Sequence, residues 1–196
     1  AHFDGTFHPL VYCWRGGLRS QSLATILNKV GWRVGLLDGG YKSYRRQVME
    51  TLDGVASKLD CRVLTGLTGM GKTRILKRMQ ERGFQVVDLE GLACHKGSLL
   101  GDVLGDPQPT QKWFESQLAS ELSVLDLERP VWLEAESNSI GDIHIPAALW
   151  KQMGDAKVVE IKAPVPSRVT YLLDDYDYFC QRQDFLKERL GYLKRL

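Results

Sequence analysis

Two loops carry residues whose types and spacing point to chemistry on anions. The first reads Cys13-Trp14-Arg15-Gly16-Gly17-Leu18-Arg19-Ser20. Backbone N–H groups from Arg15 to Arg19, the start of the following helix and the two guanidiniums all favour a thiolate over a thiol. Cys13 is therefore expected to be a nucleophile, with Arg15, Gly16, Gly17, Leu18, Arg19 and Ser20 forming its anion-binding loop. The C-x5-R spacing is shared by cysteine phosphatases and by sulfurtransferase-type loops. Phosphatase loops are commonly introduced by histidine, whereas Tyr12 stands here and no Asp is placed as general acid, so persulfide-type chemistry is favoured. Cys61, Cys94 and Cys180 lack any comparable setting and read as core or loop residues.

The second loop, Gly66-Leu67-Thr68-Gly69-Met70-Gly71-Lys72-Thr73, matches G-x4-G-K-[ST] at every fixed position, after a strand-like run and at the mouth of a helix. Gly66, Thr68, Gly69 and Gly71 let successive N–H groups converge on one phosphate, Lys72 adds a mobile cation, and the Thr73 hydroxyl can reach a magnesium ion. Nucleotide chemistry would also need carboxylates. Asp88 and Glu90 follow one strand and Glu134 and Glu136 end another, so these four are candidates to hold a metal or orient substrate. His95 and Lys96 lie in the loop beyond, within reach of a phosphate or a base.

Behind the first loop stand Leu10 to Tyr12 as a strand and a helix with Leu23, Ala24, Ile26, Leu27 and Val30 on its apolar face, ended by Gly31. A strand from Val34 to Leu37 and a basic segment from Tyr41 to Leu52 follow, and Asp53-Gly54 reads as a domain boundary. Behind the second loop stand a strand at Arg62 to Leu64 and a helix with Ile75, Leu76 and Met79 on one face. Then come a strand from Gln85 to Asp88, a glycine-rich stretch, and a helix capped by Thr110 carrying Trp113, Phe114, Leu118, Leu122 and Leu125. A strand from Val131, a short helix from Pro146, a strand from Lys157 to Lys162 and an amphipathic tail from Ser167, opened by Arg168, complete the chain. This alternation predicts parallel βαβ architecture throughout, in two α/β parts: residues 1–54 and a P-loop domain over 55–196.

Composition narrows the classes. In 196 residues, 43% are hydrophobic and 26% charged, which argues against disorder, and no apolar run approaches the roughly 20 residues of a membrane-spanning helix. No signal-peptide pattern opens the chain, and the cysteines show neither a disulfide framework nor CxxC spacing. The net charge of +2 hides a division: residues 1–90 carry 14 Lys/Arg against 8 Asp/Glu, residues 91–196 carry 12 against 16. The basic half permits a polyanionic partner, with Lys42, Arg45, Arg46 and Arg74, and further along Lys77, Arg78 and Arg82, as candidate RNA contacts.

Taken together, Cys13 to Gln21, Gly39-Gly40-Tyr41-Lys42, the phosphate loop, Asp88 to Ser98, Gln111 to Glu115 and Glu134 to Ser137 closely resemble the bacterial tRNA 2-selenouridine synthases, a rhodanese domain fused to a P-loop domain. The resemblance implies that residues 1–54 are the C-terminal half of a rhodanese-like domain truncated at its N-terminus, and that the P-loop domain is open to truncation at its C-terminus. It implies a cytoplasmic transferase acting on the wobble 2-thiouridine in the anticodon region of tRNA, with Cys13 as the catalytic cysteine. Sulfur would be replaced by selenium from selenophosphate, through an S-geranylated intermediate made from geranyl diphosphate. Both small molecules are substrates, no tightly bound cofactor is expected, Mg2+ is optional, and a selenophosphate supplier is the implied protein partner. Two other readings stay open: a P-loop kinase or NTPase with a rhodanese-like regulatory or sulfurtransferase module, and an inactive unit that only binds tRNA or diphosphate.

Overall fold

The computed structural model describes residues 6–97 and 107–175, and the chain divides into two compact units, residues 1–51 and 52–196. Cys180, Ser98 and the part of the C-terminal tail beyond residue 175 lie outside the described residues.

The first unit contains strand β1 (Leu10–Val11), helix α1 (Leu18–Val30), strand β2 (Gly35–Leu36) and the start of helix α2 (Gly40–Ala56). β1 and β2 run parallel, with Leu10 opposite Gly35 and Val11 opposite Leu36. Gly31 ends α1 in the left-handed conformation at φ 108°, its N–H returning to the Asn28 carbonyl, as a glycine cap should. The apolar face expected on α1 is real but mostly uncovered: Ala24 is buried, while Leu23, Ile26 and Val30 are exposed. Two strands of two residues are too small a sheet to cover a helix of 13 residues. The division between the units falls at residues 51/52, just before the boundary expected at Asp53-Gly54, and inside a helix. α2 runs through both residues, because Val48, Leu52 and Ala56 continue one buried stripe while Gly54 faces open space, where a Cβ would meet nothing.

In the second unit four parallel strands, β3 (Cys61–Thr65), β4 (Gln85–Val87), β5 (Val131–Glu134) and β8 (Lys157–Glu160), lie in the order β4-β5-β3-β8. Their apolar runs read as strands buried within a parallel sheet, and Val63 pairs with Leu133 while Leu133 also pairs with Val87. Only β8 is exposed along its length, as an edge strand. Helices α3 (Lys72–Glu81), α5 (Gln111–Ser123) and α6 (Ala147–Gly154) supply core side chains, including Leu76, Phe114, Leu118, Leu122 and Leu149. Thr110 caps α5, its hydroxyl accepting the Trp113 N–H at 3.3 Å. Trp113 itself is exposed, and on α3 only Leu76 enters the core while Ile75 stays outside.

Two further elements depart from the expected pattern. Strands β6 (Ser139–Ile140) and β7 (Ile143–His144) form an antiparallel hairpin, so the unit is not parallel throughout. The Gly141-Asp142 turn, with Gly141 at φ 57°, is the local cause. Gln108 braces the hairpin by donating to the Ile140 carbonyl at 2.8 Å and accepting the Asp142 N–H at 2.8 Å. Within the expected glycine-rich stretch, Leu89–Leu92 forms a short helix, α4, because Asp88 caps it. The last described helix is α7 (Val165–Asp175).

Candidate functional site

In the first unit the β1–α1 loop wraps the Cys13 sulfur. Gly17 N–H donates to Sγ at 3.3 Å, and the buried Ser20 hydroxyl stands 3.3 Å from Sγ and 3.0 Å from the Gly17 carbonyl. The Ser20 hydroxyl and the Arg15 N–H are the leading causes that bring the thiol down from 9.0 to about 6, against the opposing effect of burial. Here the outcome differs from expectation in detail: Arg15 acts on the sulfur through its backbone N–H, and the Arg15 and Arg19 side chains are exposed. The loop holds its shape against the segment opening α2. Tyr41 N–H donates to the Cys13 carbonyl and Lys42 N–H to the Trp14 carbonyl, each at 2.9 Å. Gly16, at φ 67°, has no room for a Cβ, which would stand 2.8 Å from the backbone nitrogens of Gly39 and Gly40.

In the second unit the phosphate loop, the end of β4 and the end of β5 meet at the carboxyl edge of the sheet, where parallel sheets bind ligands. Gly71, at φ 70°, caps α3, so that Lys72 and Thr73 occupy its first turn. Lys72 Nζ donates to the Gly66 carbonyl at 3.1 Å and pairs with the Glu134 carboxylate at 3.2 Å, both side chains largely buried. Thr73 Oγ1 donates toward Glu134 at 2.8 Å and Glu90 at 3.3 Å. Glu90, Glu134 and Glu136 offer carboxylate oxygens within 4.8 Å of one another. Burial, then the neighbouring Glu134 and Glu136, push Glu90 up to about 9, and burial raises Glu136 as well. Crowding three acids in this buried place thus favours the protonated form at Glu90 over the charged one.

Asp88 takes a different part from the other three acids. Its Oδ1 accepts the Gly91 N–H at 2.8 Å, so it caps α4 and is absent from the carboxylate group. His95 is buried, with Nδ1 accepting the Gly97 N–H at 3.1 Å, and it lines the cleft. Lys96 and Cys94 line the same cleft. Lys42 and Arg46 are exposed on α2, with Arg46 3.9 Å from Glu50, while Arg45 reaches Met49 Sδ at 3.2 Å; Arg74 is exposed on α3. Arg168 is held by the loop itself, its Nε and Nη2 donating to the Thr68 carbonyl at 3.0 and 2.9 Å.

Several site features escape a reading of the sequence. Gly97, at φ 60°, lies against the acids: a Cβ there would stand 2.6 Å from oxygens of both Glu90 and Glu136. α7 closes on the phosphate loop, where a Cβ on Gly69 would strike Leu172 at 2.8 Å and one on Gly71 the Tyr171 ring at 3.1 Å. The cleft over the loop measures about 800 Å³. A second groove of about 560 Å³ shares Met70, Gly71, Arg74 and Tyr171 with it and continues along Ile75, Met79 and Phe84, rimmed by Arg78 and Arg82. Ile75 on α3 and Phe84 just past its end, nine positions apart, are exposed apolar residues that line this groove.

Comparison with known proteins places this architecture. Residues 59–191 match the family model described as tRNA 2-selenouridine synthase AAA domain. A protein named tRNA 2-selenouridine synthase from Shewanella piezotolerans is 40% identical over 195 residues, covering 97% of this chain and 50% of the relative. Similarly named proteins are 38% identical in Shewanella loihica, covering 100% of this chain and 50% of the relative, and 37% identical in Nitrosomonas eutropha, covering 86% and 44%. The chain thus spans about half the length of the curated relatives it matches. No solved structure matches it. Among the described residues no helix is long and apolar enough to cross a membrane.

Proposed function

The chain belongs to the tRNA 2-selenouridine synthase family, and from that premise we propose that it serves a transferase replacing the sulfur of wobble 2-thiouridine in tRNA with selenium. In the first half-reaction the geranyl carbon leaves a diphosphate oxygen and bonds to the thiouridine sulfur, releasing diphosphate. In the second, selenium from selenophosphate bonds to the uracil ring carbon that bears the sulfur, and the bond between that ring carbon and sulfur breaks. Mass balance then requires that geranylthiol leaves and that water hydrolyses the phosphorus–selenium bond to phosphate.

One observation carries the choice of a prenyl diphosphate over a nucleotide: the phosphate loop shares a wall with an apolar groove. The N–H groups of the loop and Lys72 suit the diphosphate, whose charge grows as it leaves. Met70, Ile75, Met79, Phe84 and Tyr171 suit a hydrocarbon body, and burial there gains about 25 cal/mol per Å² of apolar surface. On this reading residues 1–54 are the rhodanese-like half, and Cys13 is the catalytic cysteine at which selenophosphate is held for the selenium step. Its cradle of N–H and O–H donors also suits the phosphate end of selenophosphate. The all-oxygen set of Thr73, Glu90, Glu134 and Glu136 fits a hard cation such as Mg2+, which when bound would neutralise diphosphate charge. The partners are tRNA and whatever enzyme supplies selenophosphate, and the setting is the cytoplasm.

Nucleoside mass analysis of a 2-thiouridine stem–loop incubated with the full chain tests this. Lys72→Ala should abolish geranylation, whereas Cys13→Ala should abolish selenium incorporation and leave geranyl diphosphate binding intact. Normal conversion by both variants removes the assignment. The carboxylates beside Thr73 favour a second reading, a P-loop kinase or NTPase. Brisk ATP or GTP hydrolysis that survives Cys13→Ser would put it first.

A further inference from the structure

Beside the Cys13 loop stands a run of aromatic rings that the mechanism above does not use. Trp14 and Tyr41 have ring centroids 5.3 Å apart at an interplanar angle of 33°, and Tyr41 and Tyr44 are 6.0 Å apart at 45°. Trp14 is 52% exposed and Tyr44 41%. The apolar stripe of α2 that is buried at Val48 thus emerges, one turn earlier, as a tilted stack open to solvent. Its position is tied to the sulfur by backbone: Tyr41 N–H donates to the Cys13 carbonyl and Lys42 N–H to the Trp14 carbonyl. Exposed cations neighbour these rings along the chain, Lys42 and Arg46 on α2, Arg15 on the sulfur loop and Arg19 in the first turn of α1.

We propose that Trp14, Tyr41 and Tyr44 form a stacking platform that receives an unpaired nucleobase of the RNA substrate beside Cys13. This rests on the tRNA reading given above and names the surface that would present the base. Every nucleobase has an apolar face that stacks on aromatic rings, and sequence-selective proteins take RNA bases from loops in this way. The flanking cations suit the phosphates on either side of such a base. The half-exposed rings of Trp14 and Tyr44 present surface on which a further ring can stack, which a closed aromatic core would not. Duplex RNA, whose bases are already stacked, offers nothing for these rings.

The test is equilibrium binding of the full chain to an anticodon stem–loop carrying 2-aminopurine beside 2-thiouridine, with a blunt RNA duplex of equal length as control. Trp14→Ala and Tyr44→Ala should each raise the Kd for the stem–loop by roughly 5- to 100-fold, in line with the energy of one base stacked on one ring. Trp14→Phe should recover most of that loss, and duplex binding should not change. The pH midpoint for Cys13 alkylation, read on the same variants, reports that the loop is still folded. Stem–loop affinity unchanged in both Ala variants, while Lys42→Ala/Arg46→Ala weakens it, overturns the platform and leaves the transferase reading standing. Self-association abolished by Trp14→Ala, with RNA affinity intact, also overturns it. A wild-type chain that binds the stem–loop through these rings but never modifies it upholds the platform and refutes the transferase reading.

Discussion

Replacing Ser20 with Ala isolates the hydroxyl that leads the stabilisation of the Cys13 thiolate. With Sγ titrating at about 6 rather than 9.0, roughly nine-tenths of the sulfur is thiolate at pH 7, against roughly one-hundredth for an ordinary cysteine. The folded-state value is depressed, so the anion is secured above the midpoint and lost as the pH falls through about 6. In the variant the Gly17 N–H remains at 3.3 Å and the Arg15 N–H remains in place. Losing one donor of several at an accessible sulfur should return roughly one unit, moving the midpoint to roughly 7. The assay is the rate of iodoacetamide alkylation at Cys13, followed by peptide mass analysis from about pH 4 to about pH 10. Thiolate nucleophilicity rises with its pKa at a slope of about 0.4–0.5, so the high-pH plateau of Ser20→Ala should stand roughly threefold above wild type. At pH 5 the smaller thiolate fraction wins and the variant should be roughly threefold slower, so the profiles cross near pH 6.5, at about the point where the two effects balance. A wild-type midpoint near 9.0, or two superimposed profiles, would refute the reasoning.

Two stability predictions complete the set. Cys94 is a non-glycine residue at φ 49°, a region that Asn visits readily and β-branched residues avoid. Cys94→Asn should therefore be neutral or stabilise by about 0.5 kcal/mol, while Cys94→Val costs about 1–2 kcal/mol in urea unfolding. Leu133 is fully buried on β5, between β3 and β4. Leu133→Ala should lower unfolding free energy by about 3 kcal/mol, read from the urea midpoint at constant slope.

Much of the fold was legible because its signals are local. The helix after Gly71, the Thr110 cap and the parallel strands at Arg62, Gln85, Val131 and Lys157 follow from backbone preference and short-range pattern, and the structure places them there. Where local signals fell short, packing outvoted them. Asp53-Gly54 lies close to the division between units at 51/52, yet burial of Leu52 and Ala56 carries α2 through it without a turn. Strict βα alternation hid the β6–β7 hairpin, although Gly141-Asp142 between two isoleucines was a usable cue.

Residue identity alone established two anion-seeking loops, since glycine spacing, a lysine and a cysteine before helix starts act through chain neighbours. It could not apportion the acids. Thr73 finds Glu134 across 61 positions of sequence, and only the pairing of β3 with β5 brings those strand ends together. Asp88, so similar in sequence to Glu90, is turned by its φ and ψ to cap α4. Arg168, singled out in the sequence at the opening of the tail, meets the loop through the Thr68 carbonyl, 100 positions away. Contacts of that range depend on how the sheet orders its strands, and strand order is a property of the whole packed unit, with no counterpart in any single stretch of residues.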